Sequence, residues 1–72
     1  MSTDIKHRLA SRIRELRKKR GYTQEKLAEL SNVDYKHIQL LESKHPSSPK
    51  IDTLEKLAKA FKMSLSDFLD IE

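Results

Sequence analysis

The sequence predicts an all-α fold: a compact bundle of five short helices, read as one domain over residues 1–72 with a core at about 5–70. Three observations carry this. Apolar residues recur at helical spacing in successive windows. No alternating run of β-branched and aromatic residues reaches four positions, so strand signals are missing. Breakers are scarce and fall between the windows, with glycine only at Gly21 and proline only at Pro46 and Pro49.

The first helix is expected from about Asp4 to Arg20, with Ile5, Leu9, Ile13 and Leu16 as its inward stripe. Lys18, Lys19 and Arg20 favour the negative end of its dipole, and Gly21 sits where a left-handed turn ends it. The second helix starts at Thr23 as N-cap and runs to about Leu30, burying Leu27 and Ala28. Asn32 follows, the residue that best replaces glycine in a left-handed conformation. Asp34 caps a third helix from Tyr35 to about Ser43, with Val33, Ile38 and Leu41 inward. KHPSSPK, residues 44–50, is a loop. The fourth helix spans about Ile51 to Phe61, with Ile51, Leu54, Leu57, Ala58 and Phe61 on one face. Ser64 and Asp67 are spaced as a capping-box-like pair, and Met63 and Phe68 as a hydrophobic staple, at the start of a fifth helix.

Size and charge narrow the function classes. A chain of 72 residues buries only about 60% of the surface its unfolded form exposes. It has no cysteine, hence no disulfide or thiolate metal site, which fits a reducing compartment such as the cytoplasm. Its longest apolar runs are two residues, too short for a membrane span or signal-peptide core. The net charge is +4, unevenly placed: residues 1–20 hold eight Lys/Arg and two Asp/Glu, and residues 21–72 hold seven and nine. Such asymmetry points to a polyanionic partner at one end, or to a solvated helical face. Membrane-surface binding is disfavoured, because the basic helix needs its apolar face for the core.

Only about four residues, Ser31 to Asp34, join the second and third helices, and so short a link makes them cross steeply as a helix-turn-helix. Ala28 stands where the crossing leaves no room. Asn32 supplies the turn. Leu27, Val33, Ile38 and Leu41 supply the aliphatics beneath it.

With these residues in place, the run RIRELRKKRGYTQEKLAELSNVDYKHIQLLES through LEKLAKAFKMSLSDFL resembles the Cro/phage-repressor class of helix-turn-helix proteins, often called the XRE family. The resemblance covers about residues 9–69. It implies a five-helix domain of the phage-repressor DNA-binding type, usually dimeric, that regulates transcription at an inverted-repeat operator. The short length is similar to phage Cro-like repressors and to controller proteins of restriction–modification systems.

Residue by residue, the resemblance places Tyr35, Lys36 and Leu40 at base-reading positions of the third helix, with Gln39 beside them. Lys36 suits guanine O6 or N7, and Leu40 suits a thymine methyl or else packs on a neighbouring helix or dimer mate. Tyr35 suits either kind of contact, or stacking on the backbone. Gln24 matches a glutamine that contacts phosphate and braces the recognition helix. Thr23 caps the same helix near that phosphate, although Lys26 replaces the family's frequent capping Glu. His37 takes the family's small-hydroxyl position, and Ser43, Lys44, His45 and Lys50 are further phosphate contacts bracketing the loop. The basic residues of the first helix are expected to contribute field more than direct contacts.

Arg17 and Glu42 carry a separate argument. Arg17 follows Ile13 by four residues and Glu42 follows Ile38 by four, so each ends an inward stripe. Opposite charges so placed should pair, since an isolated buried charge is costly. A matching pair in the family joins the same helices, and its arginine also reaches a phosphate.

The fifth helix offers Leu65, Phe68, Leu69 and Ile71, more apolar residues than one side of so short a helix buries, which predicts a two-fold interface. The expected partners are thus double-stranded DNA and a second copy, with no cofactor. The alternative is an antitoxin-type interaction module that docks a protein partner and binds DNA secondarily. Enzymatic chemistry finds no support. His7, His37 and His45 lack metal-ligand spacing or companions, and there is no glycine-rich phosphate loop.

Overall fold

The structure, a computed structural model, describes residues 4–70. These form five helices: α1 (Ile5–Lys19), α2 (Gln24–Ser31), α3 (Tyr35–Leu41), α4 (Ile51–Ala60) and α5 (Leu65–Phe68). The caps explain the boundaries. Asp4 accepts from the backbone N–H groups of Lys6 and His7 and starts α1. The His7 backbone N–H leads the contacts that hold the Asp4 carboxyl below its usual range. Thr23 caps α2 through the Lys26 N–H at 3.0 Å, so the lysine at that position does not abolish the cap. Ser64 caps α5 through the Asp67 N–H at 3.0 Å.

Two helices end in the same turn with different chemistry. After α1, the Tyr22 N–H bonds to the Arg17 carbonyl and the Gly21 N–H to that of Lys18, a Schellman turn with Gly21 at φ +71°. After α4, Met63 and Lys62 bond in the same way to Ala58 and Lys59. There Lys62 adopts φ +59°, a conformation no local signal marks, because a lysine there costs about 1–2 kcal/mol.

α2 packs on α3 and α4, and α4 packs on α5. The core joins Leu9, Ile13 and Leu16 of α1, Leu27 of α2, Val33, Ile38 and Leu41 around α3, and Leu57, Ala58, Phe61 and Phe68. An aromatic column runs through it: Tyr22 stacks on Phe61 with ring centroids 6.1 Å apart, and Phe61 on Phe68 at 5.9 Å.

Three expectations are corrected. Phe68 is no interface residue: it is fully buried, because α5 is a single turn and Phe68 is the side chain it sends into the core. Ile5 and Ile51 do not extend the inward stripes of α1 and α4, being 56% and 67% exposed. Each is the first residue of its helix, at the margin of the core.

The arginines of α1 also depart from a purely electrostatic role. Arg12 donates to the carbonyls of Phe68 (3.1 Å) and Asp67 (2.8 Å) at the end of α5. Arg14 donates to the Glu42 carbonyl after α3 at 2.6 Å. Arg20 donates to the Phe61 carbonyl after α4 and lies over the Phe61 ring. Carbonyls at helix ends are short of partners within their own helices, and the arginines of α1 and its C-cap Arg20 donate to them; the Asp67 carbonyl also accepts from the Asp70 N–H at 3.2 Å.

Arg17 meets Glu42 in a two-pronged ion pair, Nε to Oε2 at 2.9 Å and Nη2 to Oε1 at 3.0 Å. Gln24 Nε2 adds a third donor to Oε1 at 3.2 Å. The Glu42 side chain is only 3% exposed and that of Arg17 15%. The pair therefore bolts α3 to α1 and α2.

Three variants test this packing. Phe68→Ala should remove about 3–5 kcal/mol, as other large core truncations do. Total stability is expected at roughly 4–11 kcal/mol for a chain of this length, so chemical denaturation should show a large loss or an unfolded protein. Were Phe68 an interface residue, the loss would instead depend on protein concentration. Glu42→Ala should cost about 3–5 kcal/mol by stranding the Arg17 guanidinium. The double change Arg17→Met with Glu42→Leu should recover much of that loss in the same denaturation assay, because no buried charge is left unpaired.

Candidate nucleic-acid interface

The turn between α2 and α3 is built by three side chains. Asn32 takes the left-handed conformation at φ 60°, ψ 30°. The buried Ser31 hydroxyl donates to the Leu27 carbonyl at 2.7 Å and accepts the Val33 N–H at 3.3 Å, tying the end of α2 to the residue that enters α3. Asp34 accepts the Lys36 N–H at 3.1 Å and starts α3. Sequence reasoning assigned no role to Ser31. Its signal was a small hydroxyl directly before Asn32, where only a short donor-acceptor fits.

One face of α3 is held and the other is free. Ile38 and Leu41 are at 0% and 1% exposure, and Val33 is buried beside them. Tyr35, Lys36, Gln39 and Leu40 lie on the exposed side. Leu40 is 53% exposed and forms no part of the core. Tyr35 and Gln39, one turn apart, are joined: Gln39 Nε2 donates to the Tyr35 hydroxyl at 3.2 Å. His37 is half-buried at the edge of this surface.

Apart from half-buried His37, the residues expected to touch phosphate fall into two groups. Thr23, Lys44, His45 and Lys50 are exposed. Thr23 uses its oxygen to accept from Lys26, which leaves its hydroxyl proton for an outside acceptor. Gln24, Arg17 and Ser43 are engaged internally. Gln24 faces Glu42, and Arg17 holds both Glu42 and the Tyr22 carbonyl. The Ser43 hydroxyl donates to the Leu40 carbonyl at 2.8 Å, so its proton is already committed.

The loop after α3 is anchored by a contact the sequence did not reveal. His7 Nε2 lies 2.9 Å from the Lys44 carbonyl oxygen, while its Nδ1 faces Asp4 Oδ1 at 3.3 Å. The start of α1 thereby holds the segment that carries Lys44 and His45. Near the anchor is an apolar cleft of about 290 Å³ lined by Ile5, Leu9, Pro49, Leu54 and Leu69, with Lys6 and Ser48 at its margin. Among the described residues, no helix is long and apolar enough to cross a membrane. No group of three or more His, Asp or Glu among them could hold a metal ion.

The family model described as helix-turn-helix matches residues 13–68. The chain is 40% identical over 57 residues to the HTH-type transcriptional regulator PuuR of Escherichia coli K12, covering 79% of this chain and 30% of that protein. It therefore spans less than a third of the length of this curated relative. Among solved structures, the restriction–modification controller protein C.AhdI from Aeromonas hydrophila aligns with a TM-score of 0.80 at 28% identity, covering 88% of this chain and 94% of the other. SinR, a master regulator of biofilm formation solved in complex with DNA, aligns with a TM-score of 0.77 at 31% identity, covering 86% and 98%. With its helix-turn-helix geometry and these likenesses together, the chain belongs to the helix-turn-helix family of transcriptional regulators, of the Cro/phage-repressor (XRE) type.

Proposed function

We propose that this chain binds double-stranded DNA with sequence preference, lays α3 in the major groove, and acts as a homodimer on an inverted-repeat operator in the cytoplasm. The observation that carries the reading is the division of α3. A helix locked by Ile38, Leu41 and the Glu42 ion pair presents Tyr35, Lys36, Gln39 and Leu40 outward. Rigid support on one side and mixed donor, acceptor and methyl-packing groups on the other is what base reading needs. Thr23, Lys44, His45 and Lys50 then serve as phosphate contacts that fix register without reading sequence. The role requires neither a cofactor nor a catalytic group.

Leu65 and Leu69 remain half-buried, partly open beside the core, and support pairing through the α5 end of the bundle. Ile71, the other residue expected there, lies outside the described residues.

Selection from random duplexes should return a two-fold sequence with half-sites about one helical turn apart. Lys36→Ala combined with Leu40→Ala should erase the preference while leaving weak, salt-dependent binding and an unchanged thermal transition. If six to ten phosphates are neutralised per dimer, log affinity should fall against log salt with a slope of about −5 to −9. A wild-type chain that enriches no sequence would defeat the reading and favour a helix-turn-helix that docks a protein. Sedimentation should show a dimer at micromolar concentration. A monomer at high micromolar concentration, both with and without DNA, would remove the two-fold arrangement.

A further inference from the structure

The contact between Tyr35 and Gln39 assigns the two residues different jobs. An amide side chain has two N–H groups on Nε2 and one carbonyl oxygen. One N–H lies on the same edge as Oε1, and the other points away from it. Bidentate reading of adenine uses the first edge: Oε1 accepts from N6–H and the adjacent N–H donates to N7. The second N–H is surplus to that task, and an unpaired donor would let the amide rotate between orientations.

In this chain Gln39 Nε2 donates to the Tyr35 hydroxyl oxygen at 3.2 Å, one helical turn away on the same exposed face. With Nε2 on the phenol, Oε1 is left for another partner. Because the phenol oxygen accepts here, its own proton remains free for another acceptor, and on DNA the nearest abundant acceptor is a backbone phosphate. The donors then run in one direction, from Gln39 to Tyr35 to phosphate, and each bond in such a chain polarises the next.

We propose that Tyr35 is a positioning residue rather than an independent base reader. It takes the outer N–H of Gln39, leaves the Oε1/N–H edge facing the groove, and makes Gln39 an adenine reader whose orientation is clamped when the phenol meets a phosphate. This rests on the DNA-binding reading above and goes beyond it by naming one base and the pair that reads it. Lys36 and Leu40 act at other positions of the half-site.

The experiment is a base-by-base competition on the selected operator, using wild type, Tyr35→Phe, Gln39→Ala and the double variant at fixed salt. Both positions are exposed, so melting curves should coincide and exclude misfolding as the cause. Wild type should discriminate A·T from the other pairs at one position per half-site by about tenfold or more, as a bidentate contact does. Gln39→Ala should flatten that position. Tyr35→Phe, which keeps the ring and removes only the hydroxyl, should weaken discrimination at the same position severalfold and leave the others intact. The double variant should discriminate no worse than Gln39→Ala alone, because Tyr35 acts through Gln39. Loss at a different base pair in Tyr35→Phe, independent multiplicative losses in the double variant, or no effect of Tyr35→Phe would each overturn the proposal while leaving DNA reading in place. Absence of any preferred sequence for wild type would overturn both.

Discussion

Everything about the exposed face of α3 depends on the carboxylate of Glu42. Its two oxygens accept from Arg17 Nε, Arg17 Nη2 and Gln24 Nε2, and its own carbonyl accepts from Arg14. One residue at the end of a seven-residue helix thus gathers donors from α1 and α2. A helix so short has little stability of its own, because nucleation costs several fixed residues before hydrogen bonds repay it. Tertiary contacts must hold it, and apolar ones alone would leave it free to roll about Ile38 and Leu41. A directional, two-pronged ion pair sets the roll angle. The choice of outward residues then has a defined orientation in space.

The same constraint explains why the first helix is so basic. With few residues available, the bundle cannot give every helix a long capping loop. It lets α1 lie beside the ends of α3, α4 and α5 and donate from Arg14, Arg20 and Arg12 to their terminal carbonyls. Guanidinium groups suit this because they present several N–H donors in a fixed fork and remain charged at any physiological pH. Their charge still contributes to the field a polyanion would meet. Part of the basic run, Arg12, Arg14, Arg17 and Arg20, is therefore structural as well as electrostatic.

A division of labour follows along α3 and the loop. Buried aliphatics and Glu42 hold position, Ser31 and Asn32 shape the turn, and His7 pins the Lys44 backbone. Ser43, Arg17 and Gln24 also take part in this support, through the Leu40 carbonyl, the Tyr22 carbonyl and the Glu42 carboxylate. The proposed contact surface includes the outer side of α3 and the exposed cations beyond it. Leu40 stands out in this contrast as a half-exposed leucine on the otherwise polar outer side of α3.

The sequence by itself determined where the helices lie, because caps and periodicity are local. Asp4, Thr23, Asp34 and Ser64 each bond to a backbone N–H two or three residues away, and Gly21 and Asn32 mark the left-handed turns. It also determined the Arg17–Glu42 pair, since each charge ends an apolar stripe and so must face the core. The tertiary structure alone decided the rest. The acceptors of Arg12, Arg14 and Arg20 are backbone carbonyls 28 to 56 residues away, and every residue has one, so no sequence feature distinguishes them. The side on which Phe68 falls was open for the same kind of reason. Its spacing fits both a staple inside and a contact outside, and only the stack on Phe61 selects the first. The pairing of Gln39 with Tyr35 was permitted by their four-residue spacing, but only the side-chain geometry of α3 brings the two groups to 3.2 Å.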